Sequence, residues 1–141
     1  MTSEEKVPTP TVLVAEDNED HAMFIRRALR DSGLAIVHRT DGEEAIRYLR
    51  DESNEMPVLA LLDVNMPRLS GFDVLKMIRE DERLRWMPVV MFSTSATRSD
   101  VRAAYEYGAN SYVPKPMDFR EFQDRLKEIG EYWTRVNRGA E

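Results

Sequence analysis

A chain of 141 residues that is 42% hydrophobic and 33% charged has the composition of one folded domain with a full core, not of a disordered segment. Its net charge of −6 lacks the basic footprint of a nucleic-acid binder, and the absence of cysteine excludes disulfides, thiolate catalysis and Cys-based zinc sites. No apolar stretch approaches the roughly 20 residues of a membrane span, and Met1 to Pro10 lacks the basic and apolar blocks of a signal peptide, so a cytoplasmic protein without membrane or nucleic-acid partners is expected.

Residues 1–10, polar and carrying Pro8 and Pro10, are expected to be a disordered tail. The β-branched run Thr11 to Ala15 suits a strand covered on both faces. A helix is predicted over Asp20 to Arg30, where Ala22, Ile25 and Leu29 recur at helical spacing and Gly33 marks the stop. Ala35 to His38 is a short second strand, and Gly42 to Arg50 a second helix with Ala45, Ile46 and Leu49 inward. A polar loop, Asp51 to Pro57, leads to Val58–Leu62, the most apolar strand and hence a central one. The third helix spans Ser70 to Asp81 with Phe72, Leu75 and Ile78 on one face. Pro88 opens a fourth strand, Val89 to Phe92, and a fourth helix, Ser99 to Tyr107, ends at Gly108. Ser111 to Val113 is the fifth strand. Asp118 can cap the last helix, whose apolar positions Phe119, Phe122, Leu126, Ile129, Trp133 and Val136 step by three and four. The domain is therefore expected to cover residues 11–137, with 138–141 a C-terminal tail and no output domain.

Strand and helix alternating five times predict an α/β fold: a five-stranded parallel sheet, doubly wound in the flavodoxin-like order. In such sheets ligands bind at the carboxyl ends of the strands. Glu16 and Asp17 follow the first strand, Asp63 follows the third, and Ser93 and Lys115 stand near the ends of the fourth and fifth. Acids converging there suit magnesium, which takes about six oxygens and keeps several waters. A carboxylate can also attack phosphorus, so Asp63 is the candidate nucleophile, with Lys115 and Ser93 beside the transferred phosphoryl group. The plain alternative is that Asp17 or Asp20 only caps the first helix. Lys115 lies between Pro114 and Pro116, where a cis peptide before Pro116 could aim its ammonium into the crevice. Ser93 is followed by Thr94 and Ser95, so the hydroxyl in question could stand one position later; spacing from the strand favours Ser93.

The acidic pair Glu16-Asp17, the segment Leu62-Asp-Val-Asn-Met-Pro67 with Gly71, Ser93, Tyr112 and Lys115-Pro116 occur in one order and spacing. Together they resemble the receiver domain of response regulators in two-component signalling, over about residues 10–137. The resemblance implies that Asp63 accepts phosphate from the phosphohistidine of a sensor histidine kinase. It implies that Asp17, Asp63 and the main-chain carbonyl of Asn65 coordinate Mg2+ (or Mn2+), with Glu16 holding a metal-bound water. Ser93 and Lys115 would contact the phosphoryl oxygens. Tyr112 stands at the family's switch position and would rotate inward as Ser93 is drawn to the phosphoryl group; the alternative is an ordinary edge-strand tyrosine. Thr94 departs from the small residue that the family often has there, and its bulk bears on phosphate lifetime.

Phe122, Tyr132, Trp133 and Val136 are expected to offer a homodimer surface on the last helix. The segments Lys115-Pro-Met-Asp-Phe119 and Ile129-Gly-Glu-Tyr-Trp133 resemble stand-alone regulators serving phytochrome-type kinases. His21 and His38 lack paired ligand spacing and are expected to be structural. Arg26, Arg27 and Arg30 read as a solvated face or as a kinase-docking turn, and Met66 as a second kinase contact. Other functions fit less well. A flavin carrier needs a Ser/Thr/Gly-rich phosphate loop after the first strand, where this chain has Glu-Asp-Asn-Glu-Asp. An aspartyl-phosphate hydrolase should offer a second acid two residues after the nucleophile, where Asn65 stands, and a cap over its substrate. A pseudo-receiver that works without phosphorylation would not need the intact acid, hydroxyl and lysine set. No enzymatic turnover is expected beyond self-phosphorylation and slow loss of the protein's own phosphate.

Overall fold

A computed structural model describes residues 9–139; most of the expected N-terminal tail and residues 140–141 lie outside them. The chain runs β1 (Thr11–Ala15), α1 (Glu19–Asp31), β2 (Ala35–Arg39), α2 (Gly42–Arg50), β3 (Leu59–Leu62), α3 (Gly71–Glu80), β4 (Val89–Ser93), α4 (Arg98–Glu106), β5 (Ser111–Pro114) and α5 (Phe119–Glu131). A π-helical turn, Tyr132–Val136, follows α5. The five strands are all parallel in the order β2-β1-β3-β4-β5, the doubly wound flavodoxin-like arrangement expected from the alternation.

The strands lack polar alternation because both faces of the sheet are covered. Leu13 and Ala15 of β1 face one core with Ala45, Ile46 and Leu49 of α2 and Val74, Leu75 and Ile78 of α3. Val12 and Val14 face the other, with Ile25 and Leu29 of α1 and Phe122, Leu126 and Ile129 of α5. Period-two side-chain alternation thus splits one apolar run between two cores. All five helices start at a side-chain cap, respectively Asn18, Asp41, Ser70, Thr97 and Asp118. No helix among the described residues is long and apolar enough to cross a membrane.

Four expectations are corrected. The cap of α1 is Asn18, whose Oδ1 accepts the His21 N–H at 3.0 Å, so neither Asp17 nor Asp20 is used as a cap. No peptide bond among the described residues is cis, the one before Pro116 included. The apolar stripe of the last helix is core only at its centre. Phe119 is 53% exposed and Val136 66%, because the first lies at the open end of α5 and the second in the π-helical turn beyond it. Conversely, Phe122 is buried between Phe24, Phe92 and His21, so it is a core residue and not part of a partner surface.

Candidate functional site

Strand register brings the site together. Ala15 of β1 pairs with Leu62 of β3, so the residues that follow, Glu16 and Asp63, leave the sheet side by side. The Asp63 N–H extends the ladder to the Ala15 carbonyl at 3.0 Å, and the Glu16 N–H reaches the Arg39 carbonyl at 3.0 Å. On the other side Ser93 of β4 pairs with Pro114 of β5, and the Lys115 N–H bonds the Ser93 carbonyl at 2.8 Å. Four side chains far apart in sequence are therefore positioned by backbone hydrogen bonds before any of them interacts.

The carboxylates of Glu16, Asp17 and Asp63 present oxygens within 4.8 Å of one another, Asp17 exposed and the other two buried. Three carboxylates with no nitrogen or sulfur donor match a hard divalent cation such as Mg2+ or Mn2+. The Lys115 ammonium lies between two of them, 2.5 Å from Glu16 Oε1 and 3.0 Å from Asp63 Oδ2. Its third acceptor is His21 Nδ1 at 2.9 Å. Burial pushes the Glu16 carboxyl up to about 7; its hydrogen bond to Lys115 opposes the rise and the negative charge of Asp63 adds to it. Glu16 Oε2 also accepts the Asn18 N–H at 3.2 Å, which links the acid to the cap of α1.

The loop after β3 curls back over Asp63. The Asn65 N–H donates to Asp63 Oδ1 at 3.3 Å, and the Gly71 N–H to the Val64 carbonyl at 2.9 Å. A Cβ on Gly71 would lie 2.1 Å from the Asp63 carbonyl oxygen, so only glycine lets α3 start this close to the end of β3. Arg68, at φ 71, holds a left-handed conformation disfavoured for a side-chain-bearing residue. Its guanidinium pairs at 3.0 Å with Asp41, the buried cap of α2, and this pins the loop. The Arg68–Asp41 pair spans 27 residues and carries no sequence signal.

Of the adjacent hydroxyls, Ser93 is fully buried and Thr94 is exposed. Ser93 Oγ accepts the Ser95 N–H at 3.2 Å. Tyr112 already lies inward, 9% exposed, held there by its hydroxyl donating to the Ser95 carbonyl, which corrects the expectation that it turns in only as Ser93 is drawn to the phosphoryl group. Burial raises the Tyr112 phenol, with Asp100 adding to the effect, so it stays a neutral donor. The two histidines are not inert packing. His21 touches Lys115, and His38 Nε2 donates to the Glu16 carbonyl at 2.8 Å. Tyr132 and Val136 are exposed, whereas Trp133 is half-buried against the α1–α5 core, edge-on to Tyr132 at 5.0 Å.

The family model described as "Response regulator receiver domain" matches residues 12–127. The chain belongs to the response regulator receiver domain family. This receiver domain is 40% identical over 132 residues to the probable methanogenesis regulatory protein FilR2 of Methanothrix harundinacea, covering 90% of this chain and 85% of that one. It is similar to the crystal structure of the phosphorylated cyanobacterial phytochrome response regulator RcpA, with a TM-score of 0.90 and 31% identity over 95% of this chain and all (100%) of that one. The Mn2+-bound form of the response regulator Rcp1 gives a TM-score of 0.87 and 27% identity, covering 94% and 99%. Receiver domains are signalling domains that work with histidine kinases, the setting for the geometry above.

Proposed function

We infer that this receiver domain accepts a phosphoryl group on Asp63 from the phosphohistidine of a sensor histidine kinase and signals through phosphorylation-dependent protein contacts. The observation that carries the reading is the Lys115 ammonium 3.0 Å from Asp63 Oδ2, with Glu16 and Asp17 in the same crevice. A carboxylate oxygen of Asp63 forms the new bond to phosphorus while the phosphorus–nitrogen bond breaks and its electron pair returns to the imidazole. Glu16, Asp17, Asp63 and the Asn65 carbonyl would hold Mg2+ or Mn2+. The cation, when bound, supplies positive charge to the equatorial phosphoryl oxygens. Lys115 contributes the second positive charge, and Ser93 a hydroxyl donor already at the strand end. Both act mainly by positioning and screening, as phosphoryl transfer requires.

The switch follows from the same chain of contacts. As Ser93 turns its hydroxyl to the phosphoryl group, the Ser95 N–H loses its acceptor, and the β4–α4 loop and inward Tyr112 readjust together. The exposed Tyr132 and Val136, with Trp133 beside them, are the surface we assign to a homodimer. The likeness to RcpA supports a phytochrome-type kinase as the donor. The protein acts in the cytoplasm in this reading, and turnover is confined to its own phosphate.

The test is intact mass after incubation with magnesium and a small phosphoryl donor. One phosphoryl adduct is expected on the wild type, and none on Asp63→Asn or when magnesium is removed by chelation. An adduct on Asp63→Asn, or no adduct on the wild type with any donor, refutes the assignment.

A further inference from the structure

We propose that His21 is a positioning residue for Lys115, its Nδ1 holding the ammonium in the crevice when a metal ion and a phosphoryl group engage Glu16 and Asp63. The inference rests on the phosphoryl-acceptor reading above. Lys115 has a side chain only 2% exposed, and an ammonium carries three hydrogens that all want acceptors there. Among the described residues the acceptors are Glu16 Oε1, Asp63 Oδ2 and His21 Nδ1. The first two belong to the carboxylates that a divalent cation would draw on. Asp63 also loses charge from an oxygen when phosphorus bonds to it. His21 is the acceptor that neither event touches.

The imidazole is suited to that part. An ammonium can only donate, so Nδ1 carries no proton and the ring is the neutral Nε2–H form. Burial, and next the Lys115 charge, hold His21 below its ordinary value of 6.5, which keeps the ring neutral. Its plane is set from outside the crevice. The ring packs on Phe122 at 5.5 Å, and Phe122 packs on Phe92 at 5.2 Å and Phe24 at 6.2 Å. The backbone beneath it is fixed by the Asn18 cap, which takes the His21 N–H. A rigid acceptor on α1, clamped by the core residue Phe122 of α5, thus defines where the Lys115 ammonium rests.

Two substitutions separate the acceptor from the ring. His21→Phe keeps an aromatic ring against Phe122 and removes the acceptor; His21→Asn places an amide oxygen near the position of Nδ1. Thermal unfolding establishes that both variants fold. The first readout is the Lys115 ammonium resonance in 15N-labelled protein with Mg2+ alone, identified by its loss in Lys115→Arg. It is expected to be sharp in the wild type and His21→Asn, and broadened by exchange in His21→Phe. The second is affinity for beryllofluoride, a phosphoryl mimic, at saturating Mg2+. His21→Phe is expected to weaken it about tenfold, the loss of one charge-assisted hydrogen bond, with His21→Asn restoring most of it. An ammonium signal in His21→Phe as sharp as in the wild type overturns the proposal, as does a His21→Asn no better than His21→Phe. If the wild type binds no beryllofluoride, the phosphoryl reading fails, while the Mg2+-only resonance still decides the role of His21.

Discussion

The hydroxyl of Tyr112 donates to the main-chain carbonyl of Ser95, tying the edge strand β5 to the loop that carries β4 into α4. Ser95 is held by two further bonds, its N–H on Ser93 Oγ at 3.2 Å and its own hydroxyl on the Asp100 carboxylate. In α3 the third-position acid, Asp73, reaches back 3.0 Å to the N–H of its cap Ser70 and closes a capping box. In α4 the equivalent acid, Asp100, takes the Ser95 hydroxyl instead. One residue therefore links the buried Ser93 hydroxyl, the inward tyrosine and the start of α4.

Tyr112→Phe keeps the ring in its pocket and removes only the hydroxyl bond. It should lower stability by about 1 kcal/mol, the net value of one such bond, read as a shift in the urea midpoint at unchanged slope. Unchanged stability would mean that the Ser95 carbonyl is equally well served by water. Ser95→Ala should cost a similar amount through Asp100, and because the two share Ser95 the double variant should be less than additive.

Glu16 gives the site a pH dependence. Its carboxyl is raised from an ordinary value of 4.5 to about 7. Between those values the folded protein holds a proton that the unfolded chain has released, so this group's contribution to stability falls as pH rises across that window. His21, held below 6.5, acts oppositely: its contribution is present above 6.5 and lost as pH falls towards its folded value. Urea titrations in chelator from pH 4 to 8 should lose the first component in Glu16→Gln and the second in His21→Phe. A cation competes with the same proton on Glu16, so Mg2+ affinity should rise with pH most steeply near 7. A flat affinity profile across that range would contradict the burial-driven rise.

Gly71→Ala tests the close approach of α3 to the end of β3. The new Cβ would meet the Asp63 carbonyl, part of the backbone, so α3 or the loop has to shift. A loss of about 1–3 kcal/mol is expected, the usual range for overpacking, together with slower phosphorylation because Asp63 moves with its own carbonyl. Wild-type stability and phosphorylation rate would show that α3 can move without disturbing Asp63.

The surface of the π-helical turn is tested by Tyr132→Ser combined with Val136→Asp, two exposed positions whose change leaves the core intact. Sedimentation of the wild type should show a concentration-dependent dimer that the double variant loses while its unfolding midpoint is retained. A monomer at all concentrations, with and without beryllofluoride, removes the homodimer from the reading.

What the sequence determined by itself was whatever is written in local patterns. Buried parallel strands need continuous apolar runs, as in Val12 to Ala15 and Leu59 to Leu62, and helices need apolar residues at spacings of three and four with a polar cap. The candidate site was legible for the same reason, since Glu16, Asp63, Ser93 and Lys115 each stand at a strand end that those patterns locate. The tertiary structure alone decided how the ends meet and which partner each side chain takes. Lys115 and His21 are 94 residues apart, and they touch because β4 pairs with β5 and α1 packs on α5. Phe122 and Val136 share one helical pattern, yet one is core and the other exposed, because the helix gives way to a π-helical turn between them. Periodicity tells which face of an element is apolar; only packing tells how far along that face there is something to bury it.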